Sequence, residues 1–350
     1  MLSGKMLLRR IISSVYYNLS LHKLRRRGKV LILMYHRILP SHQVADMLIQ
    51  PGMYVTDDTF DMQLNFLNSY CDIISFAEFL QRYSANQWDH NKRYCILTFD
   101  DGWKDNYTYA YPLIKKYHMP ATIFLTTSYI GSARQFWPEE LAFLFNKLNL
   151  NELPSDQQSK LFRKSEELKI KRSHILSFVN TPSLEKRRET MHIIIERFKD
   201  NTEETIQTFI ETLRDITRQH MPGDNHAFLG WKEIEEMSGN KITFGSHCVS
   251  HRILTRLSPV AIDEEVTISF ETLKARKVNL LPVLSYPNGN YNQDIIKHTR
   301  NAGYQAAVTT QAGWVDPHED DLFSLERINI HNDISYNSSL FAFHISGAFN

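Results

Sequence analysis

The chain has 350 residues, of which 42% are hydrophobic and 23% are charged. This composition is typical of a soluble globular protein, and the length allows a large buried core. The net charge of +1 argues against a general nucleic-acid-binding protein. Cys71, Cys95 and Cys248 are too few and too widely spaced for a disulfide framework, so a reducing compartment is compatible with the sequence.

Residues 1–28 are predicted to form a separate basic, amphipathic segment. Residues 1–29 contain eight Lys or Arg side chains and no acid, so the rest of a chain with net charge +1 carries −7. Helical spacing predicts an apolar face made of Leu8, Ile11, Ile12, Val15 and Leu19. We expect this face either to pack on the protein or to make a peripheral contact with an anionic membrane. No convincing signal peptide or transmembrane helix is recognisable, which predicts a cytoplasmic or inner-membrane-associated protein.

Strand and helix patterns alternate along the first part of the chain. An uninterrupted apolar run at residues 30–35 predicts a strand that is covered on both faces. Further strands are predicted at residues 95–99 and 121–126, helices at 56–67 and 106–117, and a short strand-and-helix step at 73–80. This alternation indicates a parallel sheet or a β/α barrel.

The pattern changes at about residues 137–226, where charged helical sequence predicts an insertion within a barrel domain of residues 29–350. Alternation then resumes, with helices predicted at 231–238, 259–277 and 293–301 and strands at 242–245, 281–286, 304–309 and 325–330. About seven strands in this order predict an α/β barrel of seven or eight units. Its active site should lie at the carboxyl ends of the strands.

Two pairs of polar residues follow predicted strands. Asp100 and Asp101 follow residues 95–99, and His247 and His251 follow residues 242–245. Each pair taken alone is also compatible with an ordinary turn. Together, one carboxylate and two imidazoles make a set of three protein ligands that leaves coordination positions open, as in catalytic metal sites. Zinc is the first expectation, and iron, cobalt and manganese stay open.

If one aspartate binds the metal, its neighbour is free to accept a proton from water. A general acid is then needed for the leaving group, and a histidine that titrates near neutral pH is suited to that task. His36 and His331 each follow a predicted strand and are the two candidates.

Two motifs resemble those of the polysaccharide deacetylase family, which is also called the NodB homology domain or carbohydrate esterase family 4. They are Thr98-Phe99-Asp100-Asp101-Gly102 and Ser246-His247-Cys248-Val249-Ser250-His251. The resemblance implies a distorted (β/α)7 barrel that hydrolyses acetamide groups of N-acetylated glycans with a divalent metal. The metal is expected to be Zn2+, with Co2+, Mn2+, Fe2+ or Ni2+ as alternatives. Carried over, Asp100 is the general base, and Asp101, His247 and His251 are the metal ligands.

The later motifs depart from the common family pattern. In Ser285-Tyr286-Pro287-Asn288-Gly289 the arginine that orients the base is absent, and Asn288 replaces a tyrosine whose backbone amide helps to bind the oxyanion. Arg37 or Arg327 could replace the missing arginine, although structural ion pairs are the simpler interpretation of both. Met34-Tyr35-His36-Arg37 resembles the first strand of an exopolysaccharide deacetylase subgroup, in which the histidine is thought to supply the acid, and this resemblance favours His36 over His331.

Aromatic side chains near the motifs are candidates for stacking against sugar rings. Trp103, Tyr286 and Trp314 are expected as substrate contacts, with core packing as the alternative. Two other functions stay open at this point. One is a non-catalytic sugar-binding member of the same fold, and the other is a non-haem iron oxygenase, which shares the ligand set but requires antiparallel strands.

Overall fold

The structure is a computed structural model, and it describes residues 4–23, 26–45, 47–221 and 227–347. Residues 1–3, 24 and 25 of the predicted N-terminal segment and residues 222–226 of the predicted insertion lie outside the described residues. The chain divides into two compact units. Unit 1 comprises Met1–Ser41, Tyr54–Ser132 and His226–Asn350, and unit 2 comprises His42–Met53 and Ala133–Asn225.

The described residues form ten strands and fifteen α-helices. The strands are β1 Val30–Tyr35, β2 Arg37–Leu39, β3 Tyr54–Thr56, β4 Asp72–Ile73, β5 Tyr94–Phe99, β6 Ala121–Leu125, β7 Ile242–Ser246, β8 Leu280–Ser285, β9 Ala306–Val308 and β10 Ile328–Asn329. The helices are α1 Gly4–Asn18, α2 Ser41–Val44, α3 Asp57–Tyr70, α4 Phe76–Ala85, α5 Tyr111–Lys116, α6 Trp137–Asn146, α7 Ser155–Glu167, α8 Arg172–Asn180, α9 Leu184–Phe198, α10 Glu203–Thr217, α11 Trp231–Ser238, α12 Pro259–Lys274, α13 Gln293–Asn301, α14 Asn332–Ser335 and α15 Ser338–Ile345.

The main sheet of unit 1 is parallel and runs in the order β10-β1-β5-β6-β7-β8-β9, with β4 paired to β5. The segment that leads into β10 also bonds to β9, through Thr309 N–H to the Leu325 carbonyl and Leu325 N–H to the Ala307 carbonyl. Seven strands therefore close on themselves. The predicted (β/α)7 barrel is confirmed, and the parallel sheet is incompatible with the antiparallel architecture of the oxygenase alternative.

Register brings the carboxyl ends of the strands to one edge. Tyr35 at the end of β1 is paired with Phe99 at the end of β5, and Leu125 at the end of β6 is paired with Ser246 at the end of β7. All six residues of β1 and all six of β5 are buried, because helices cover the outer face while side chains fill the interior. Polar residues that follow these strands consequently meet above a dry core.

Several predicted elements are longer than the observed ones. The strands predicted at residues 304–309 and 325–330 shrink to β9 and β10, because the chain between them is held by irregular backbone bonds such as Arg327 N–H to the Gln311 carbonyl. The helix predicted at residues 106–117 begins as a π-helical turn, Asn106–Ala110, before α5. Hydrogen-bond irregularity of this kind leaves little trace in an apolar pattern.

Unit 2 is helical and has its own core. Helices α6 to α10 bury a set of apolar side chains that includes Phe145, Phe178 and Phe198. Within this unit Arg214 donates two hydrogen bonds to Glu140, from Nε to Oε1 at 2.7 Å and from Nη2 to Oε2 at 2.9 Å. The predicted insertion began at residue 137, whereas unit 2 also includes residues 42–53.

None of the helices described is both long enough and apolar enough to cross a bilayer.

Candidate active site

The two aspartates separate in space because the strand has already ended. Strand β5 stops at Phe99, and Asp100 N–H still bonds to the Tyr35 carbonyl at 2.9 Å. Asp101 and Gly102 then take φ values of +73° and +78°, so the backbone makes a left-handed turn. A Cβ at Gly102 would lie 2.7 Å from Leu125 Cδ2, which explains the glycine. The two carboxylates therefore face different surroundings.

Asp101, the carboxylate ligand that the family resemblance implies, lies against two histidines. Its Oδ1 is 3.5 Å from His247 Nε2 and 3.4 Å from His251 Nε2, and the three ligand atoms lie within 4.8 Å of one another. This Oδ1 is buried and has no hydrogen-bond partner among the described residues. A buried carboxylate oxygen without a partner is costly unless a cation or proton lies beside it. The donor set therefore fits a divalent metal.

The histidine geometry also fits metal binding. His247 Nδ1 lies 2.7 Å from the Ser285 carbonyl, to which it can only donate, so Nε2 is left with the lone pair that a metal needs. Burial lowers the pKa of His247 to about 4, and the neighbouring His251 adds to that effect. The imidazole is therefore neutral at ordinary pH, which is the form that binds metal.

The loop that carries both histidines is held by a residue that the sequence did not point to. Glu265 on α12 is buried, and its Oε2 accepts from Val249 N–H at 2.8 Å and from Ser250 N–H at 2.9 Å. Its Oε1 accepts from the Ser250 hydroxyl. The sequence feature that could have identified Glu265 is a charged residue among the apolar positions of α12, next to Val266 and three residues from Ile262.

Asp100 forms a bidentate ion pair with Arg327, and both side chains are buried. Arg327 donates from Nη1 to Oδ1 at 2.8 Å and from Nη2 to Oδ2 at 2.7 Å, and its Nε donates to the Thr309 carbonyl at 2.8 Å. The Ser285 hydroxyl donates to Asp100 Oδ2 at 3.2 Å. Burial alone would raise the pKa of Asp100, but the guanidinium outweighs it, and the pKa lies well below its usual value. The carboxylate is therefore ionised.

Arg327 is therefore a candidate for the role that the expected motif left without an arginine, which is to orient the base. The ion pair expected of Arg327 is present, and its partner is the candidate base itself. Arg37, the other candidate, pairs instead with Asp105, from Nε to Oδ2 at 2.8 Å.

Trp103 is buried and contacts the ligand side of the site. Its indole N–H donates to Asp101 Oδ2 at 2.9 Å, and its ring lies between Phe228, with centroids 4.6 Å apart, and the Arg37 guanidinium, 4.4 Å from the ring centroid. This hydrogen bond leaves Oδ1 as the oxygen that faces the histidines. A ring buried in this way supports a positioning role for Trp103 more than the expected contact with a sugar.

Tyr286 and Trp314, the other expected sugar contacts, are also buried. The Tyr286 hydroxyl donates to the Phe323 carbonyl at 3.1 Å, and the Trp314 indole donates to the Ile345 carbonyl at 2.6 Å. Both polar groups therefore have internal partners, which favours core packing for both rings. Asn288 is exposed in the turn Pro287–Gly289 with φ +58°.

The two candidate acids follow neighbouring strands. His36 follows β1, level with Asp100, and its Nδ1 is buried without a hydrogen-bond partner in the described part of the chain. His36 also contributes to lowering the pKa of Asp100. His331 follows β10, and its Nδ1 lies 3.3 Å from Asp333 Oδ2.

Comparison with known proteins agrees with this geometry. A sequence profile described as "Polysaccharide deacetylase" matches residues 88–161 and 174–307. The chain is 22% identical over 316 residues to the putative polysaccharide deacetylase YxkH of Bacillus subtilis. The alignment covers 89% of this chain and 75% of that protein. It is 31% identical over 114 residues to the poly-beta-1,6-N-acetyl-D-glucosamine N-deacetylase of Staphylococcus epidermidis, covering 30% of this chain and 39% of that protein.

Solved structures share the fold. The Streptococcus pyogenes deacetylase PplD, solved in complex with acetate, superposes with a TM-score of 0.54 at 22% identity, over 89% of this chain and 96% of the other. IcaB from Ammonifex degensii gives a TM-score of 0.53 at 15% identity, over 92% and 98%. The profile match covers more than half of the residues and includes Asp100, Asp101, His247 and His251. The chain belongs to the polysaccharide deacetylase family, whose members are hydrolases of non-peptide carbon–nitrogen bonds.

Proposed function

We propose that this chain removes N-acetyl groups from an N-acetylated saccharide of a cell-surface polysaccharide, with a divalent metal, zinc first, as cofactor. The observation that supports this most directly is that the carboxylates of Asp100 and Asp101 lie in different surroundings. One carboxylate is held ionised by Arg327, and the other lies with two imidazoles around an oxygen without a hydrogen-bond partner in the described chain. A relative named as a poly-beta-1,6-N-acetyl-D-glucosamine N-deacetylase supports the class of substrate.

Asp101, His247 and His251 would hold the metal, with Trp103 and Ser285 orienting the ligands. When bound, such a metal polarises the acetyl carbonyl and lowers the pKa of water. Asp100 accepts the proton from the attacking water, because it is ionised and two hydrogen bonds from Arg327 orient it. The backbone amide of Asn288 is the proposed donor to the oxyanion.

His36 is the proposed general acid. It donates a proton to the sugar nitrogen as the carbon–nitrogen bond breaks, and the products are acetate and a free amino sugar. Its support is its position level with Asp100 and a buried Nδ1 that has no partner among the described residues. Retention of a base, a ligand set and an acid argues against a protein that binds sugar without catalysis.

The compartment and the glycan are part of the same proposal. The basic N-terminal residues support a reaction in the cytoplasm or at the inner face of a membrane, on a saccharide that is still attached to lipid. Cell fractionation tests this, because recovery of the protein wholly in the periplasm contradicts it.

The decisive experiment measures acetate release from a panel of N-acetylated saccharides, with and without a chelator. We expect release that the chelator abolishes and zinc restores. Asp100→Asn and Asp101→Asn are matched variants that make the same chemical change at neighbouring positions. Asp100→Asn should lower release on the order of 10³-fold while metal content stays normal, whereas Asp101→Asn should lose both. Near-normal release by Asp100→Asn contradicts the proposed base.

A further inference from the structure

The first described helix carries a stripe of exposed apolar side chains. Helix α1 and the residue after it expose Leu7, Leu8, Ile11, Val15 and Leu19, each between 53 and 63% exposed. At about 100° per residue these five positions fall within an arc of about 120° on the helix surface. The other large apolar side chains that are exposed in the described residues, Ile193, Val260 and Ile268, do not belong to this helix. The stripe is therefore a concentrated feature.

The opposite face of α1 is already packed. Tyr16 stacks edge-on against Phe343 of α15, with centroids 5.5 Å apart, and Ser13 is fully buried. Arg9 Nη2 donates to His344 Nδ1 at 3.2 Å, and His344 Nε2 donates to the Asn329 carbonyl at 2.8 Å. The helix is consequently held on unit 1 without any help from the stripe. Folding of the chain does not explain the exposed apolar residues.

Charge indicates what the stripe meets. Arg10, Lys23, Arg26 and Arg27 are exposed on α1 and shortly after it, and no acidic residue precedes Asp46 in the sequence. A second copy of the chain would bring these cations against their equivalents, which is unfavourable. An apolar stripe on a helix that is followed in the sequence by exposed cations has the chemistry of a helix that lies in the surface of an anionic bilayer.

We propose that α1 is a membrane-docking surface, with its stripe inserted among the lipids and the neighbouring cations on anionic headgroups. The helix is preformed and fixed to unit 1, so docking has no need to order a disordered segment first. This inference is separate from the chemistry of acetate release and does not depend on it.

Flotation of the purified full-length chain with lipid vesicles tests the proposal. Wild type should bind vesicles of phosphatidylcholine mixed with phosphatidylglycerol, and should bind pure phosphatidylcholine much more weakly. Leu8→Ser combined with Ile11→Ser and Val15→Ser should weaken binding on the order of 100-fold, because the apolar burial is lost. Arg26→Gln combined with Arg27→Gln should weaken it about fivefold per residue, with a loss of salt sensitivity.

Val260→Ser combined with Ile268→Ser is the matched control, since it removes exposed apolar side chains from α12 and should leave binding unchanged. Unaltered circular dichroism and an unchanged thermal unfolding midpoint confirm that each variant is folded. Absence of binding to anionic vesicles by wild type overturns the proposal. A second outcome also overturns it. If the stripe variant still binds vesicles, and if analytical ultracentrifugation shows a dimer for wild type but a monomer for the variant, the stripe is a contact between copies of the chain.

Discussion

The site has two sides that begin at adjacent residues and differ in chemistry. On the side of Asp100, a buried arginine and a serine hydroxyl occupy the carboxylate, and the pKa of Asp100 lies well below its usual value. On the side of Asp101, an indole holds one oxygen, and the other has no hydrogen-bond partner in the described chain but faces two imidazoles. The first arrangement suits proton transfer and the second suits a cation. Adjacent identical residues can therefore take different roles when their neighbours differ in charge.

The strongest test of the proton-transfer side concerns the acid. His36→Gln should lower kcat/KM by about 10² to 10⁴-fold, because the leaving nitrogen loses its proton donor. His331→Gln is the matched variant and should have a much smaller effect. The measurement is acetate release by wild type and the two variants under the same conditions. A larger loss in His331→Gln than in His36→Gln assigns the acid to His331.

Arg327 is the next test, because it contacts both carboxylate oxygens of the proposed base. Arg327→Lys keeps the charge and loses the bidentate contact, so kcat should fall about 10²-fold. Weaker stabilisation of the carboxylate raises the pKa of Asp100. Activity requires the ionised base, so the acid limb of the pH–activity profile, where activity is lost as pH falls, should move to higher pH. Arg214→Lys breaks a comparable bidentate pair with Glu140 in unit 2 and should not move the acid limb. An unchanged acid limb in Arg327→Lys argues for a purely structural ion pair.

On the metal side, Trp103→Phe removes the hydrogen bond to Asp101 Oδ2 with little change in shape. Metal affinity should fall about 10 to 100-fold, with kcat of the metal-saturated enzyme closer to normal. Competition with a fluorescent chelator measures it. Trp88→Phe is the control, because Trp88 is buried and its indole nitrogen has no hydrogen-bond partner in the described chain. Equal affinities for the Trp103→Phe and Trp88→Phe proteins contradict the positioning role.

The smallest expected effect is at Glu265. Glu265→Gln loses acceptors for the loop between the two histidines, which should lower metal affinity about tenfold and the free energy of unfolding by about 1–3 kcal/mol. Calorimetry with and without zinc separates the two effects, since a metal-site effect is larger in the zinc-loaded protein. Glu140→Gln, another buried glutamate, should alter stability alone. Identical zinc stabilisation in Glu265→Gln and wild type removes Glu265 from the metal side.

The sequence alone was sufficient to predict the parallel α/β fold class. It also placed the Asp100-Asp101 motif and the motif of His247 and His251 at the same edge of the sheet, because both predictions depend on local sequence patterns. Strand β1 was predicted with its observed bounds, as were α11 and α13, because uninterrupted apolar runs and helix-start signals are local. Asp100 and Asp101, and likewise His247 and His251, were recognisable as candidates because each pair comes after a strand, and parallel strands bring their carboxyl ends to one edge. The apolar face of α1 was likewise readable from spacing, but whether it was covered was not.

Tertiary structure decided which side chains support those residues. Arg327 lies far from Asp100 in the chain, and its role depends on β10 lying beside β1 in the closed barrel, a long-range pairing that no local pattern encodes. Glu265 and Trp103 acquired their roles in the same way, through burial next to a loop and a carboxylate. A buried polar group must find a partner, and the partner is set by packing between distant segments. The sequence therefore determined which residues are candidates for the site, and the packing of the barrel decided which groups surround each of them.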